Sequence, residues 1–178
     1  VMVTRGPGAT NASIGVHAAF QDSVPMVLLI GQVGTDFADR EAFQEMDYRL
    51  MFGPMAKWVA QIERADRIPE YMAHAFQVAT SGRMGPVVLA LPEDVLTMQA
   101  DARPALRHKP VHAAPSPTQI ADLRARLAAA RRPMVILGGT GWDAQACADM
   151  RSFVEGNELP VTCAFRFQDL YDNRLPNY

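Results

Sequence analysis

Short uninterrupted apolar runs alternate along this chain with stretches whose apolar residues recur every three or four positions. That rhythm predicts a parallel sheet covered by helices. Residues 1–4 predict a first strand. After the Gly6-Pro7-Gly8 turn, Ala9, Ala12, Val16, Ala19 and Phe20 fall on one face of a helix that stops near Asp22 and Ser23. Residues 26–30 are continuously apolar and end at Gly31-Gln32, as a strand buried on both faces would. From there to Phe52 the chain is polar and aperiodic, which predicts irregular structure. Residues 57–62 predict a strand. Ile68, Met72, Ala75, Phe76 and Ala79 predict a helix closed by Gly82, and residues 86–91 another buried strand.

The pattern then lapses. Residues 93–115 hold Pro104, Pro110 and Pro115, two histidines and mixed charges without a sustained period, and predict a surface linker. A second unit opens at Ser116-Pro117-Thr118-Gln119: a capping serine, a proline in the first helical position, and a glutamine where a capping box requires one. Ile120, Leu123 and Leu127 are the expected buried face of that helix. A strand at 134–137, a tight turn at Gly138-Gly139-Thr140-Gly141, a helix at 143–155 and a strand at 159–162 restore the rhythm, and the chain stops with this unit unfinished. The expected fold is therefore α/β: three-layer parallel sheets with helices on both faces, in two partial domains, 1–92 and 116–178.

Composition narrows the function classes. With 178 residues, 49% apolar and 20% charged, the chain can bury a core. The net charge of −2 and the lack of a basic stripe argue against nucleic acid as a partner. The apolar run 24–30 is broken by Pro25 and too short for a bilayer, and no basic-then-apolar leader is present, so neither membrane nor secretion is expected. Two cysteines, Cys147 and Cys163, fit a reducing compartment, which favours the cytoplasm. The chain opens in a strand-like run without an initiator methionine, so truncation of its N-terminus is expected.

Four segments could carry chemistry. Thr4 to Asn11 joins a strand to a helix through glycines that let backbone approach a ligand, although taken alone a structural turn is the favoured reading. Gly31-Gln32-Val33-Gly34 ends a central strand, the edge where open α/β sheets bind ligands; Gln32 could equally be a strand-end cap. Ala42-Phe43-Gln44-Glu45 sets a ring and an amide on an irregular segment, as a site or as a surface turn anchored by Phe43. Arg83, in Ser81-Gly82-Arg83-Met84-Gly85-Pro86, suits a phosphate or flat ring, or merely follows a helix stop. His17, His74, His108 and His112 lack partners at metal-ligand spacing, so no metal site is assigned. No GxGxxG or GxxxxGK spacing, nucleophile elbow or CxxC pair occurs.

Taken in order, Thr-Arg-Gly-Pro-Gly-Ala-Thr-Asn (4–11), Asp-Ser-Val-Pro-Met (22–26), Gly-Gln-Val (31–33), Ala-Phe-Gln-Glu (42–45) and Ala-Thr-Ser-Gly-Arg (79–83) resemble the acetolactate synthase-like family of thiamin-diphosphate-dependent enzymes. Residues 85–95 resemble the end of that family's pyrimidine-binding domain, and Arg132 to Gly139 the opening of its central, Rossmann-like domain. The resemblance implies that 1–92 is the C-terminal part of the first domain and 116–178 the N-terminal part of the second.

For the full-length parent it further implies thiamin diphosphate and Mg²⁺ as cofactors, a 2-keto acid as substrate, decarboxylation and carboligation to a 2-hydroxy-keto product, and a homodimer or homotetramer with sites between subunits. The activating glutamate is expected upstream of Val1, and the Mg²⁺ motif is absent because no Asp-Gly pair occurs, so these residues alone are expected to be inactive. By resemblance Phe43 and Gln44 face the thiazolium and substrate in a supporting catalytic role. Gly31 and Gln32 line the pocket, and Gly6, Pro7, Gly8 and Asn11 form a further wall. Arg83, Gly138 and Gly139 match positions that hold FAD, but Gly34, Met84 and Cys163-Ala164-Phe165-Arg166 depart from the family pattern and leave the flavin optional. Two alternatives stay open: a non-catalytic nucleotide- or FAD-binding Rossmann-like module, and a different thiamin-diphosphate lyase or decarboxylase.

Overall fold

Seven consecutive residue pairs join β2 (Met26–Gln32) to β4 (Pro86–Pro92) in parallel, from Met26 opposite Pro86 to Gln32 opposite Pro92. With β1 (Met2–Val3) and β3 (Trp58–Gln61) they form a parallel sheet in the order β1-β2-β4-β3 in the computed structural model, which describes residues 1–178. Side chains alternate between the two faces along each strand. Leu28, Ile30, Val88 and Ala90 pack on one face with α1 (Pro7–Asp22) and α2 (Tyr48–Phe52). Val27, Leu29, Val87, Leu89 and Leu91 pack on the other with α3 (Ile68–Thr80). Every residue of β4 is buried, which explains its unbroken apolar run. Each Leu, Ile or Val so enclosed contributes roughly 1.5–3 kcal/mol.

The N-terminal edge of this sheet is closed by two cations set on helix C-termini, where carbonyls lack partners and the helix dipole favours positive charge. Arg83 donates from Nη2 to Phe20 O (2.8 Å) and from Nε to Ser23 Oγ (2.9 Å), its guanidinium lying over the Phe20 ring. Lys57 donates from Nζ to Ser81 O (2.6 Å) and to Val78 O at the end of α3. Gly82 takes a left-handed φ of 56° just past that helix.

Two details of the first unit differ from the sequence-based expectation. The stretch up to Phe52 is not wholly irregular, because Asp47 caps α2 by accepting from the amides of Arg49 and Leu50. The expected linker begins with a helix, α4 (Glu93–Thr97), and is without regular structure only from 98 to 116. His108 from that stretch meets Thr80 Oγ1 at 2.8 Å. The compact units are 1–112 and 113–178.

In the second unit α5 (Pro117–Ala129) has the full capping box at Ser116 and Gln119. Its expected buried face is not buried: Ile120 and Leu123 are exposed and no residue of the helix is enclosed. Periodicity encodes a face that can be buried, and the core of this unit is built without it. That core joins α6 (Ala144–Gly156) to the parallel pair β5 (Val135–Leu137) and β6 (Val161–Cys163) through Leu137, Val154, Leu159, Val161, Cys163 and Tyr171. No helix is long and apolar enough to cross a membrane.

Replacing Lys57 with Met keeps the aliphatic stem but strips two carbonyls of their donor. The expected loss is about 1–2 kcal/mol in urea denaturation with an unchanged m-value.

Candidate functional site

Because β1, β2 and β4 run parallel, the segments leaving their carboxyl ends emerge at one edge, where open α/β sheets take ligands. Polar ties fasten these segments together. Arg5, beyond β1, pairs with Glu93 in the first turn of α4 at 2.8 Å. The Asp94 carboxylate accepts from Thr35 Oγ1 (2.5 Å) and Thr35 N (3.0 Å), beyond β2. The Thr35 hydroxyl, with help from backbone amides, holds Asp94 below its usual carboxylate range.

Gly6 turns the chain from β1 into α1 with φ 56° and ψ −108°, a conformation that only glycine adopts freely. Its amide donates to the buried Tyr48 Oη (2.9 Å), and burial pushes the Tyr48 phenol up. A Cβ on Gly6 would stand 2.8 Å from the Cβ of Gln44. The structure thus brings the 4–11 turn and the 42–45 loop into contact, although about 35 residues separate them.

Gln32 is buried and its amide is engaged at both ends: Nε2 donates to Met46 O (2.8 Å) and Oε1 accepts from Val33 N (3.0 Å). A Cβ on Gly31 beside it would stand 3.8 Å from Arg5 N, an ordinary contact. Phe43 stands 79% exposed at the loop tip, with Gln44 behind it at φ 64°. The Glu45 carboxylate accepts from the amides of Asp39 (2.7 Å) and Ala42 (2.9 Å), bonds that lower its pKa, that to Ala42 most. Pro7 and Asn11 lie exposed in the first turns of α1, and Gly8 packs tightly on Thr4.

Gly6, Gly31, Gln32, Phe43 and Gln44 therefore gather at one edge. Arg83 does not join them: it lies three residues before β4, whose seven residues span roughly 20 Å of the sheet. Gly138 and Gly139 belong to the second unit, in the turn after β5. There a Cβ on Gly138 would press on Ala164 at 3.1 Å, while Gly139 has φ 80° and open space around it. Beside the first edge lies an open depression of about 610 Å³ that includes Asp39, Glu41, Glu45, Asp47 and Glu63, with Arg49 as its one cation. No group of three His, Cys, Asp or Glu side chains is placed to hold a metal ion. Sequence reasoning missed Tyr48, Asp94 and the role of Glu45. Only Asp94 carried a signal, an acidic residue two positions after a buried strand.

Residues 1–51 match the family described as thiamine pyrophosphate enzyme, N-terminal TPP binding domain. The chain is 33% identical over 177 residues to the acetolactate synthase isozyme 2 large subunit of Escherichia coli (strain K12), covering 99% of this chain and 32% of that protein. It is 39% identical over 165 residues to a probable acetolactate synthase large subunit of Methanococcus aeolicus, covering 89% and 28%. Among solved structures, benzoylformate decarboxylase from Polynucleobacter necessarius superposes with a TM-score of 0.83 at 25% identity, covering 92% of this chain and 31% of that one. The chain thus spans about a third of the length of the relatives it matches.

Gly6→Ala forces both a strained φ and a clash with Gln44, and should cost about 1–3 kcal/mol in thermal or chemical denaturation. Gly53→Ala, at an open position with negative φ, should be nearly neutral. The lowered Asp94 pKa makes its tie to Thr35 a stabilising contribution present above the unfolded carboxylate pKa and lost as pH falls through the lowered folded value. In an NMR titration the Thr35 amide should hold its shift through the ordinary carboxylate range and move only below it.

Proposed function

The chain is an acetolactate synthase-like segment of the thiamine pyrophosphate enzymes, and from that premise we propose that it forms the wall facing the ring end of thiamin diphosphate in a longer enzyme. That enzyme decarboxylates a 2-keto acid and passes the remaining carbon unit to an acceptor, giving a 2-hydroxy-keto product. The observation carrying this proposal is the loop tip Phe43-Gln44 set against the Gly6 turn at the carboxyl edge of the sheet.

The residues present fit one end of the cofactor and not the other. An exposed phenyl ring and a neighbouring amide suit a flat heteroaromatic ring and a polar substrate. A neighbouring depression with five carboxylates and one guanidinium repels a diphosphate, and no metal-holding group accompanies it. Bound thiamin diphosphate supplies the carbon that adds to the keto group and accepts the electron pair released on decarboxylation. Phe43 would shield that carbon from water, Gln44 would orient the substrate by hydrogen bonding, and Gly6 and Gly31 would let the ring approach the backbone. The residues that hold the diphosphate and Mg²⁺, and the activating acid, would come from outside these residues, in a dimer or tetramer.

The alternative of a nucleotide- or flavin-binding module draws on the second unit. The turn after β5 has open space at Gly139 and Gly141, both with positive φ. Flavin absorbance in the purified protein tests it.

Titrating the longer protein with thiamin diphosphate and Mg²⁺ while following 2-keto acid consumption should show saturable binding and turnover. A protein that shows no binding and no turnover would sink the proposal. These 178 residues alone should turn over no 2-keto acid with both cofactors added; measurable product would contradict the half-site.

A further inference from the structure

We propose that Glu45 is a positioning residue, whose carboxylate builds the 39–45 loop in the single conformation that holds Phe43 and Gln44 at the sheet edge. The functional half of this inference rests on the thiamin diphosphate site proposed above; the structural half does not.

The loop is improbable on its own terms. Residues 38–46, Ala-Asp-Arg-Glu-Ala-Phe-Gln-Glu-Met, contain neither glycine nor proline, yet Asp39, Glu41 and Gln44 have φ of 60°, 52° and 64°. Non-glycine residues keep such angles only where their surroundings over-determine them. Apolar packing does not do so at the tip, since Phe43 is among the most exposed hydrophobic side chains of the chain. Regular secondary structure does not do so either, because none runs between Phe37 and Tyr48.

Glu45 supplies what is missing. Its Oε1 accepts from Asp39 N and its Oε2 from Ala42 N, while its own amide donates to Ala42 O at 2.9 Å. One side chain thereby closes the loop on itself across all three left-handed residues. Gln32 then fastens the outer end through Met46 O, and Gly6 receives Gln44 where no side chain would fit. The chemistry requires a carboxylate. A glutamine would offer one oxygen and one NH₂, and the NH₂ would face a backbone N–H with no acceptor between them. Glu45 thus sets the position of the two neighbours that would meet cofactor and substrate.

The experiment pairs Glu45→Gln with Glu45→Asp, which keeps both oxygens on a shorter stem. In the 178-residue chain, Glu45→Gln should speed exchange of the Asp39 and Ala42 amides by about tenfold or more and lower the order parameters of Phe43 and Gln44, with β2 and β4 still protected. In the longer protein Glu45→Gln should lower kcat/KM for the 2-keto acid by about tenfold or more, with thiamin diphosphate affinity within about twofold of wild type. Glu45→Asp should recover part of both losses. Unchanged exchange at Asp39 and Ala42, loss of protection throughout β2 and β4, or a loosened loop with undiminished kcat/KM would each overturn the proposal. Absence of binding and turnover in the unsubstituted longer protein would remove the thiamin diphosphate reading instead, and the exchange measurement would still decide whether Glu45 builds the loop.

Discussion

In-register parallel pairing of β2 with β4 is the constraint on which the rest of the first unit depends. Both strands are covered on both faces, so a slip of one residue would exchange the side chains facing α1 with those facing α3. The same register aligns the segments that leave the two strands. Gln32 stands opposite Pro92, so Thr35 and Asp94, a few residues further on, come within hydrogen-bonding distance. A packing requirement in the middle of the sheet thus becomes a positional requirement at its edge.

The two edges of the sheet then do different things. At the N-terminal edge Lys57 and Arg83 satisfy the carbonyls that end α3 and α1, and Arg83 also holds the left-handed Ser23 (φ 58°) in place. At the C-terminal edge sit the strained turn at Gly6, the left-handed loop residues and the exposed ring of Phe43. Exposed apolar area and positive φ both cost free energy, and the polar ties that offset them are carboxylates and amides held by residues next to the loops themselves. Three of the four left-handed non-glycine residues of the first unit, Asp39, Glu41 and Gln44, thus fall at the end where α/β sheets take ligands, on loops carried by a rigid scaffold.

Much of this was legible in the sequence because alternation and apolar runs come directly from strand and helix geometry. The runs at 26–30 and 86–91 could hardly be anything but buried strands, and the glycine turn at 6–8 announced a close approach. The capping box at Ser116 was equally plain. The features that escaped have a common cause, dependence on contacts distant in sequence. α2 is only five residues long, too short for periodicity to show, and is fixed by its Asp47 cap and by Tyr48 and Phe52 reaching the core. The loop conformation is set by Glu45 and Gln32, and left-handed Asp, Glu and Gln residues carry no mark such as a glycine would leave. For α5 the apolar stripe was visible, but a stripe states what can be buried and not what covers it.

Charge imposes a last division under the proposed function. An anion brought near Asp39, Glu41, Glu45, Asp47 and Glu63 meets five carboxylates against the single guanidinium of Arg49, and repulsion at such distances is felt even where water screens it. A neutral aminopyrimidine or a cationic thiazolium meets no such penalty. Under the proposed function the cofactor's own polarity would dictate how it lies: rings toward this edge, phosphates toward a surface that supplies cations. A wall shaped by Glu45 and Gln32 and lined by acids can complete a site only by facing a second surface of opposite character. Under that reading, the need for a cationic partner surface follows from the charge of the ligand.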